Sequence, residues 1–173
     1  MAEVVPEPFA STDDEVPAVP ASASALIFDE RGRLLILRPT YKSGWTIPGG
    51  VMENDGETPW QACRREVREE CGLEVTSARL ACVDFRRPGA GRAGGIRFLF
   101  DCGQLNARAL RAISLQRAEI AEHRLVPVAD ALVLLRKPIR RRVRAAVRGD
   151  GRARRRDTVY LEDGRPVSAV SPA

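Results

Sequence analysis

The sequence predicts an α/β fold in which a mixed sheet lies between helices as an α/β/α sandwich. Three observations lead there. Short apolar segments bounded by turn residues recur along the chain, one well-capped helix interrupts them, and further helical segments come late without any internal repeat. With 173 residues, 44% of them hydrophobic and 29% charged, the chain can form one domain with a real core but not two comfortable ones.

Residues 1–20 mix Pro, Glu, Ala, Val and Ser without a helical or strand period, and a disordered leader is expected there. Its acidic residues and prolines stand where a secretory signal has a basic start and an apolar centre. The folded domain is expected over 21–148. Ser22 to Phe28 and Leu34 to Arg38 read as a hairpin around Asp29 to Arg33. Trp45 to Ile47 forms a brief third segment, stopped by Pro48-Gly49-Gly50.

The best-marked helix follows. Thr58 can cap it, Pro59 suits its first position, and Gln61 stands where the reciprocal partner of a capping box belongs. Trp60, Cys63, Val67 and Cys71 give it an apolar face, and Gly72 ends it. Ala78 to Phe85 and Ile96 to Cys102 read as strands flanking a Gly/Arg-rich loop, Arg86 to Gly95. Glu122 to Val128 reads as another strand, and Ala129 to Leu135 and Ile139 to Val147 as helices parted by Pro138. Residues 149–173 are expected to form an arginine-rich linker and tail, with Thr158 to Leu161 adding a last short strand.

Composition excludes several classes. No apolar run is long enough to span a bilayer. Cys63, Cys71, Cys82 and Cys102 stand far apart with no Cys-x-x-Cys pair, which argues for free thiols in a reduced cytoplasm rather than a zinc or redox site. The net charge of +5 comes almost wholly from arginine, Lys42 and Lys137 being the two lysines. The run Arg140 to Arg144 and the later Arg152 to Arg156 lack aromatic interleaving. They read as a solvated helix face and tail, and no nucleic-acid partner is expected.

The chemistry concentrates on the capped helix. Glu66, Glu69 and Glu70 stand at i, i+3 and i+4, neighbouring positions on a helix surface. Three like charges so close repel, and a hard divalent cation reverses that term, since magnesium prefers oxygen ligands. Arg65 stands eight residues after Glu57, where an ion pair back to the loop can pin it.

Gly50-x6-Glu57-x7-Arg65-Glu66-Val67-x-Glu69-Glu70-x-Gly72-Leu73 resembles the Nudix box of the Nudix hydrolase superfamily, and Trp45 to Gly50 resembles its lead-in. The family pattern has five residues between the first glycine and the first glutamate, so one residue of Val51 to Gly56 is extra. The resemblance implies a Nudix-type sandwich and a pyrophosphohydrolase that uses magnesium, with manganese as a substitute. By the same resemblance Glu66, Glu69 and Glu70 bind the metal, Gly50 adds its backbone carbonyl, and Glu57 and Arg65 are structural. A carboxylate must accept the proton of the attacking water, and Glu69 or Glu119 is the candidate. Glu119 reads equally as a solvated strand-edge acid. Arg38, before Pro39, resembles a substrate-phosphate contact and reads equally as a surface arginine.

The implied substrate is a small diphosphate compound of the ADP-ribose, nucleotide-sugar or nucleoside-triphosphate class. The alternatives are an isoprenoid diphosphate or a nucleotide-binding regulatory domain. A cytoplasmic setting is expected, and a homodimer is compatible with the sequence.

Overall fold

Leu34, Leu35, Ile36 and Leu37 are all fully buried, so their strand is covered on both faces, as a sheet inside a three-layer sandwich requires. The computed structural model that shows this describes residues 19–167 other than Arg92, 149–152, 155 and 156. The expected leader therefore lies outside the described residues except for Val19 and Pro20.

The elements run β1 (Ala21–Phe28), β2 (Leu34–Pro39), β3 (Gly49–Val51), α1 (Pro59–Cys71), β4 (Arg79–Arg86), β5 (Gly95–Gln104), α2 (Ala107–Arg111) and β6 (Ile120–Val126). Then come α3 (Val128–Leu134), α4 (Lys137–Ala146), the short pair β7 (Val147–Arg148) and β8 (Ala153–Arg154), β9 (Val159–Glu162) and β10 (Arg165–Pro166). The main sheet has the order β10-β9-β4-β5-β1-β2-β6, with β3 on β1. It is mixed: β1 with β5 and β4 with β9 are parallel, and the other pairs are antiparallel.

Strand alternation sorts the core into two clusters. Ala23, Ala25, Ile27, Leu35 and Leu37 face α1, meeting Ala62, Cys63, Val67 and Cys71. Leu26, Phe28, Leu34 and Ile36 face the other way, against Ala131 of α3 and Ile139 and Val143 of α4. Burying a side chain such as Val67 completely contributes about 1.5–3 kcal/mol, so each layer is held by several such contributions. The ring of Trp60 also packs on Phe100, with centroids 5.4 Å apart.

One irregularity of the sheet makes room for the site. β1 meets β2 through Phe28 and Leu34 and then pairs with β3 through Ser22, Ala23 and Ser24. The intervening segment crosses the gap, where Thr46 bridges to Leu37 and the Ala25 N–H donates to the Pro48 carbonyl at 2.9 Å. The third strand is therefore Gly49–Val51, not Trp45 to Ile47, which make single bridges only. Glycines read as a stop form the strand here because the backbone must lie close to its neighbours, as shown below.

The last short strand expected at Thr158 to Leu161 is present as β9, Val159–Glu162. β9 pairs with β4, and Leu161 is fully buried in the cluster beneath α4, so residues 159–166 belong to the sheet rather than to a tail. The short five-residue helix α2, capped by Asn106, was not anticipated.

Candidate active site

The phase of α1 is fixed at both ends. The Gln61 N–H donates to Thr58 Oγ1 at 3.3 Å while the Thr58 N–H donates to Gln61 Oε1 at 2.8 Å. At the other end Gly72 adopts φ 65° and its N–H donates to the Arg68 carbonyl at 2.8 Å. With Cys63, Val67 and Cys71 turned into the core, Glu66 and Glu70 border the buried stripe, and Glu70 is only 6% exposed. Glu69 points outward, its side chain 45% exposed.

A single guanidinium ties the loop before the helix to its acidic face. Arg65 Nε donates to Glu57 Oε1 at 2.8 Å and Nη2 to Glu57 Oε2 at 3.1 Å, a bidentate pair. Nη2 also donates to the Val51 carbonyl at 3.1 Å, and Nη1 reaches Glu66 Oε1 at 2.9 Å and Glu69 Oε2 at 3.1 Å. The hydrogen bonds from Arg65 hold the Glu57 carboxyl below its ordinary range. Between these anchors, residues 53–56 are exposed, and Asn54-Asp55-Gly56 form a turn in which Asp55 Oδ1 accepts from the Glu57 N–H at 3.0 Å. The extra residue of the loop thus lies in a segment that stands out from the domain.

Two glycines bring the backbone against the buried acids. The Gly49 N–H donates to Glu70 Oε2 at 2.8 Å. A methyl group on Gly49 would lie 2.3 Å from the Ala23 carbonyl oxygen, and one on Gly50 would lie 2.2 Å from Glu66 Oε1. Burial pushes the Glu70 carboxyl up to about 8, against the Gly49 hydrogen bond and with the charges of Glu66 and Glu119 adding to it. Burial likewise raises Glu66, with Glu69 and Glu119 adding and Arg65 opposing. The structure therefore brings Gly50, Glu66 and Glu70 together with Glu69 beside them, and Glu119 is near enough for its charge to act on both buried acids. Arg38 lies elsewhere: it pairs with Glu122 at 3.0 Å across β2 and β6, with half of its side chain exposed.

Among the described residues no three acidic, histidine or cysteine side chains already stand as a closed metal cage. The reason is visible in the hydrogen bonds, since Glu66 and Glu69 are held by Arg65 and Glu70 by the Gly49 N–H. The donor set still fits a hard divalent ion. It is all oxygen, three carboxylates beside the backbone of Gly50, with Glu70 buried and Glu66 partly buried.

Beside these acids opens a cleft of about 340 Å³. Gly49, Gly50 and Glu70 form one end, and Lys42, Arg86, Arg97, Arg136 and Arg142 line the rest. Sequence reading missed this cationic set. It placed Arg86 in a loop and Arg142 on a solvated face, whereas the Arg142 side chain is only 13% exposed and lies 3.5 Å from the buried Asp84. The signal was present in α4, where Ile139, Arg142, Val143 and Ala146 recur at i, i+3, i+4 and i+7 and put the arginine on the apolar stripe. Another hollow, of about 420 Å³, lies at the outer side of Arg65 among Glu53, Glu57 and Arg64. It holds the loop-fixing ion pair but not the glycine backbone.

The family model of the NUDIX domain matches residues 19–147. An 8-oxo-dGTP diphosphatase of Proteus vulgaris is 40% identical over 62 residues, which are 34% of this chain and 54% of that protein. An isopentenyl-diphosphate Delta-isomerase of Mycolicibacterium vanbaalenii is 33% identical over 109 residues, 60% of each chain. The crystal structure of the MutT protein from Methanosarcina mazei Go1 has a TM-score of 0.61 at 27% identity, covering 75% of this chain and 92% of that one. The chain thus spans 54 to 60% of the length of these two curated relatives. Since the family model covers most of the chain, on the mixed-sheet sandwich described above, the chain belongs to the Nudix hydrolase superfamily.

Proposed function

We propose that this protein is a magnesium-dependent hydrolase that splits a diphosphate linkage in a small nucleoside diphosphate-linked compound. The observation that carries the reading is the packing of the Glu66 and Glu70 carboxylates against Gly49 and Gly50 at the end of a cationic cleft. Repulsion among buried carboxylates is tolerable when a cation is to be held there, and an arginine-lined cleft beside them suits phosphate oxygens.

In this reading Glu66, Glu69, Glu70 and the Gly50 carbonyl hold magnesium, and manganese can replace it. When bound, the metal lowers the pKa of a water and screens the charge of the diphosphate. The chain's own groups do the rest. The positive charge of the cleft draws in the phosphate-bearing compound, and Lys42, whose charge acts on Glu70, meets the phosphate oxygens nearest the acids. A carboxylate oxygen, of the exposed Glu69 or of Glu119, accepts that water's proton as its oxygen bonds to phosphorus and the bridging P–O bond breaks. Arg65 and Glu57 hold the loop that carries Gly50. The reading places the protein in the cytoplasm, where its four buried thiols stay reduced. Among the described residues no helix is long and apolar enough to cross a membrane.

The test is hydrolysis of ADP-ribose, a nucleotide sugar and a nucleoside triphosphate with and without magnesium. At least one is cleaved, chelation abolishes turnover, and Glu69→Gln lowers it by roughly 100-fold or more with unchanged melting. Metal-independent turnover, or full turnover in that variant, would overturn the reading.

A further inference from the structure

The cleft holds more positive charge than a metal-bound diphosphate needs. Lys42, Arg86, Arg97, Arg136 and Arg142 line it, while Glu70 is the one acid among its lining residues and Asp84 the acid that meets Arg142 from behind. Arg97 spends its N–H groups on the neutral carbonyls of Pro20, Gly94 and Ile96, which orient the guanidinium without neutralising it. Lys42 lies over the Tyr41 ring at 4.6 Å, and its charge also acts on Glu70. Arg136 Nε is buried and makes no hydrogen bond, and Arg142 Nη1 has only the Asp84 carboxylate at 3.5 Å. A buried donor left without a partner is costly, and so is a group of guanidinia within range of one another. Burial and the nearby Arg86 weigh against the charged forms of Arg97 and Arg142, with Asp84 opposing at both.

The place of these charges matters as much as their number. On β1, Ala23 and Ala25 face α1, so the alternating Ser22 and Ser24, which line the cleft, face the α4 side. Arg97 is paired with Ser22 in register and with Asp84 across β4, on that same face. The cleft therefore runs from the acids on the α1 side, past Gly49 and Gly50, to arginines on the α4 side. The remaining walls combine the hydroxyls of Ser22, Ser24 and Thr46 with the apolar surfaces of Tyr41, Val51 and Pro138.

We propose that the Arg86, Arg97, Arg136 and Arg142 end of the cleft is a second anion subsite, which selects diphosphate compounds bearing a further phosphate group. The inference rests on the hydrolase reading for its substrate and names the class within it. Small compounds with three or more phosphates are preferred over those whose far end is a neutral sugar or a hydrocarbon chain.

Two measurements on the full chain test it separately from hydrolysis. In the first, inorganic tripolyphosphate is titrated calorimetrically into metal-free protein with chelator present. The wild type binds it, and Arg136→Gln and Arg86→Gln each weaken the dissociation constant by roughly tenfold, the scale of one lost charged hydrogen bond. Unchanged affinity in both variants, with or without a fall in melting temperature, would assign the arginines to fold stability and overturn the proposal. Arg142→Gln is a weaker first choice because it also removes an ion pair from the buried Asp84. In the second, kcat/KM is compared for adenosine tetraphosphate against ADP and for 2′-phosphorylated ADP-ribose against ADP-ribose. The phosphate-rich member of at least one pair is preferred by roughly tenfold or more, and Arg136→Gln removes the preference. Equal turnover of both members of both pairs overturns the subsite and leaves the hydrolase reading standing. Arginine-dependent binding of tripolyphosphate with no hydrolysis of any compound keeps the subsite and overturns the hydrolase reading.

Discussion

Arg65 Nη1 lies 2.9 Å from Glu66 Oε1 and 3.1 Å from Glu69 Oε2, while the other end of the same guanidinium grips Glu57 with two hydrogen bonds. One side chain therefore sets both the loop and two of the acids. Lysine keeps the charge but not the planar fork. Arg65→Lys is expected to lower the melting temperature by about 2–4 °C, the shift that follows from roughly 1 kcal/mol in a domain of this size. An unchanged melting curve would show that the fork is dispensable.

The Glu57 partner gives a pH dependence of known sign. Arg65 holds its carboxyl below the ordinary range in the folded chain, so the unfolded chain takes up its proton first as acid is added. The stability this pair contributes is present above the unfolded value and is lost as pH falls through the folded one. The melting temperatures of wild type and Glu57→Gln should differ most near pH 7 and converge towards pH 3. A constant gap across that range would remove the linkage.

Gly50 and Gly56 allow a paired comparison. A methyl group on Gly50 meets the Glu66 carboxylate, whereas one on Gly56, at φ 89°, meets nothing within 4 Å. Gly56→Ala should cost about 1–2 kcal/mol of stability through backbone strain and leave turnover nearly intact. Gly50→Ala should lower turnover by roughly 100-fold or more, because it displaces a carboxylate that must be held to a fraction of an ångström. Equal effects of the two on kcat/KM would remove Gly50 from the site.

Deletion of Asn54 restores the family spacing between Gly50 and Glu57. Gly50 is anchored by its pairing with Ala23 and Glu57 by Arg65, so the exposed turn between them can shorten at little cost. Magnesium affinity and turnover should stay within about threefold of wild type. A folded but inactive deletion variant would give the longer loop a part in placing the metal or the substrate.

Leu161 is fully buried beneath α4, and its truncation tests whether the late strand is integral to the domain. Leu161→Ala should destabilise the fold by about 2–5 kcal/mol. A loss below about 0.5 kcal/mol would return residues 159–166 to the status of a tail.

Helix α1 was legible because its limits are written locally, in Thr58, Gln61 and Gly72, and the three glutamates follow from its period. The ion pair of Glu57 with Arg65 was legible for a related reason, since both residues lie within one turn-and-helix unit. The cationic cleft was not. Arg86, Arg97, Arg136 and Arg142 come from β4, β5, the junction between α3 and α4, and the middle of α4, and only the folded sheet brings them together. β3 was misplaced because Trp45 to Ile47 carry the bulky apolar residues that mark a strand. Gly49 to Val51 pair instead because small residues let the chain approach Ser24 and Glu66.

The bond from the Gly49 N–H to Glu70 also makes the acidic site a gauge of strand alignment. In the native pairing Gly50 stands opposite Ala23 and Val51 opposite Ser22. A slip by one residue would set Val51 opposite Ala23 and drive an isopropyl group into space where Glu66 does not admit even a methyl. Misaligned chains would thus be rejected by the same crowding that assembles the acids, and a folding error at this edge would yield a molecule unable to close its core rather than a folded but idle one.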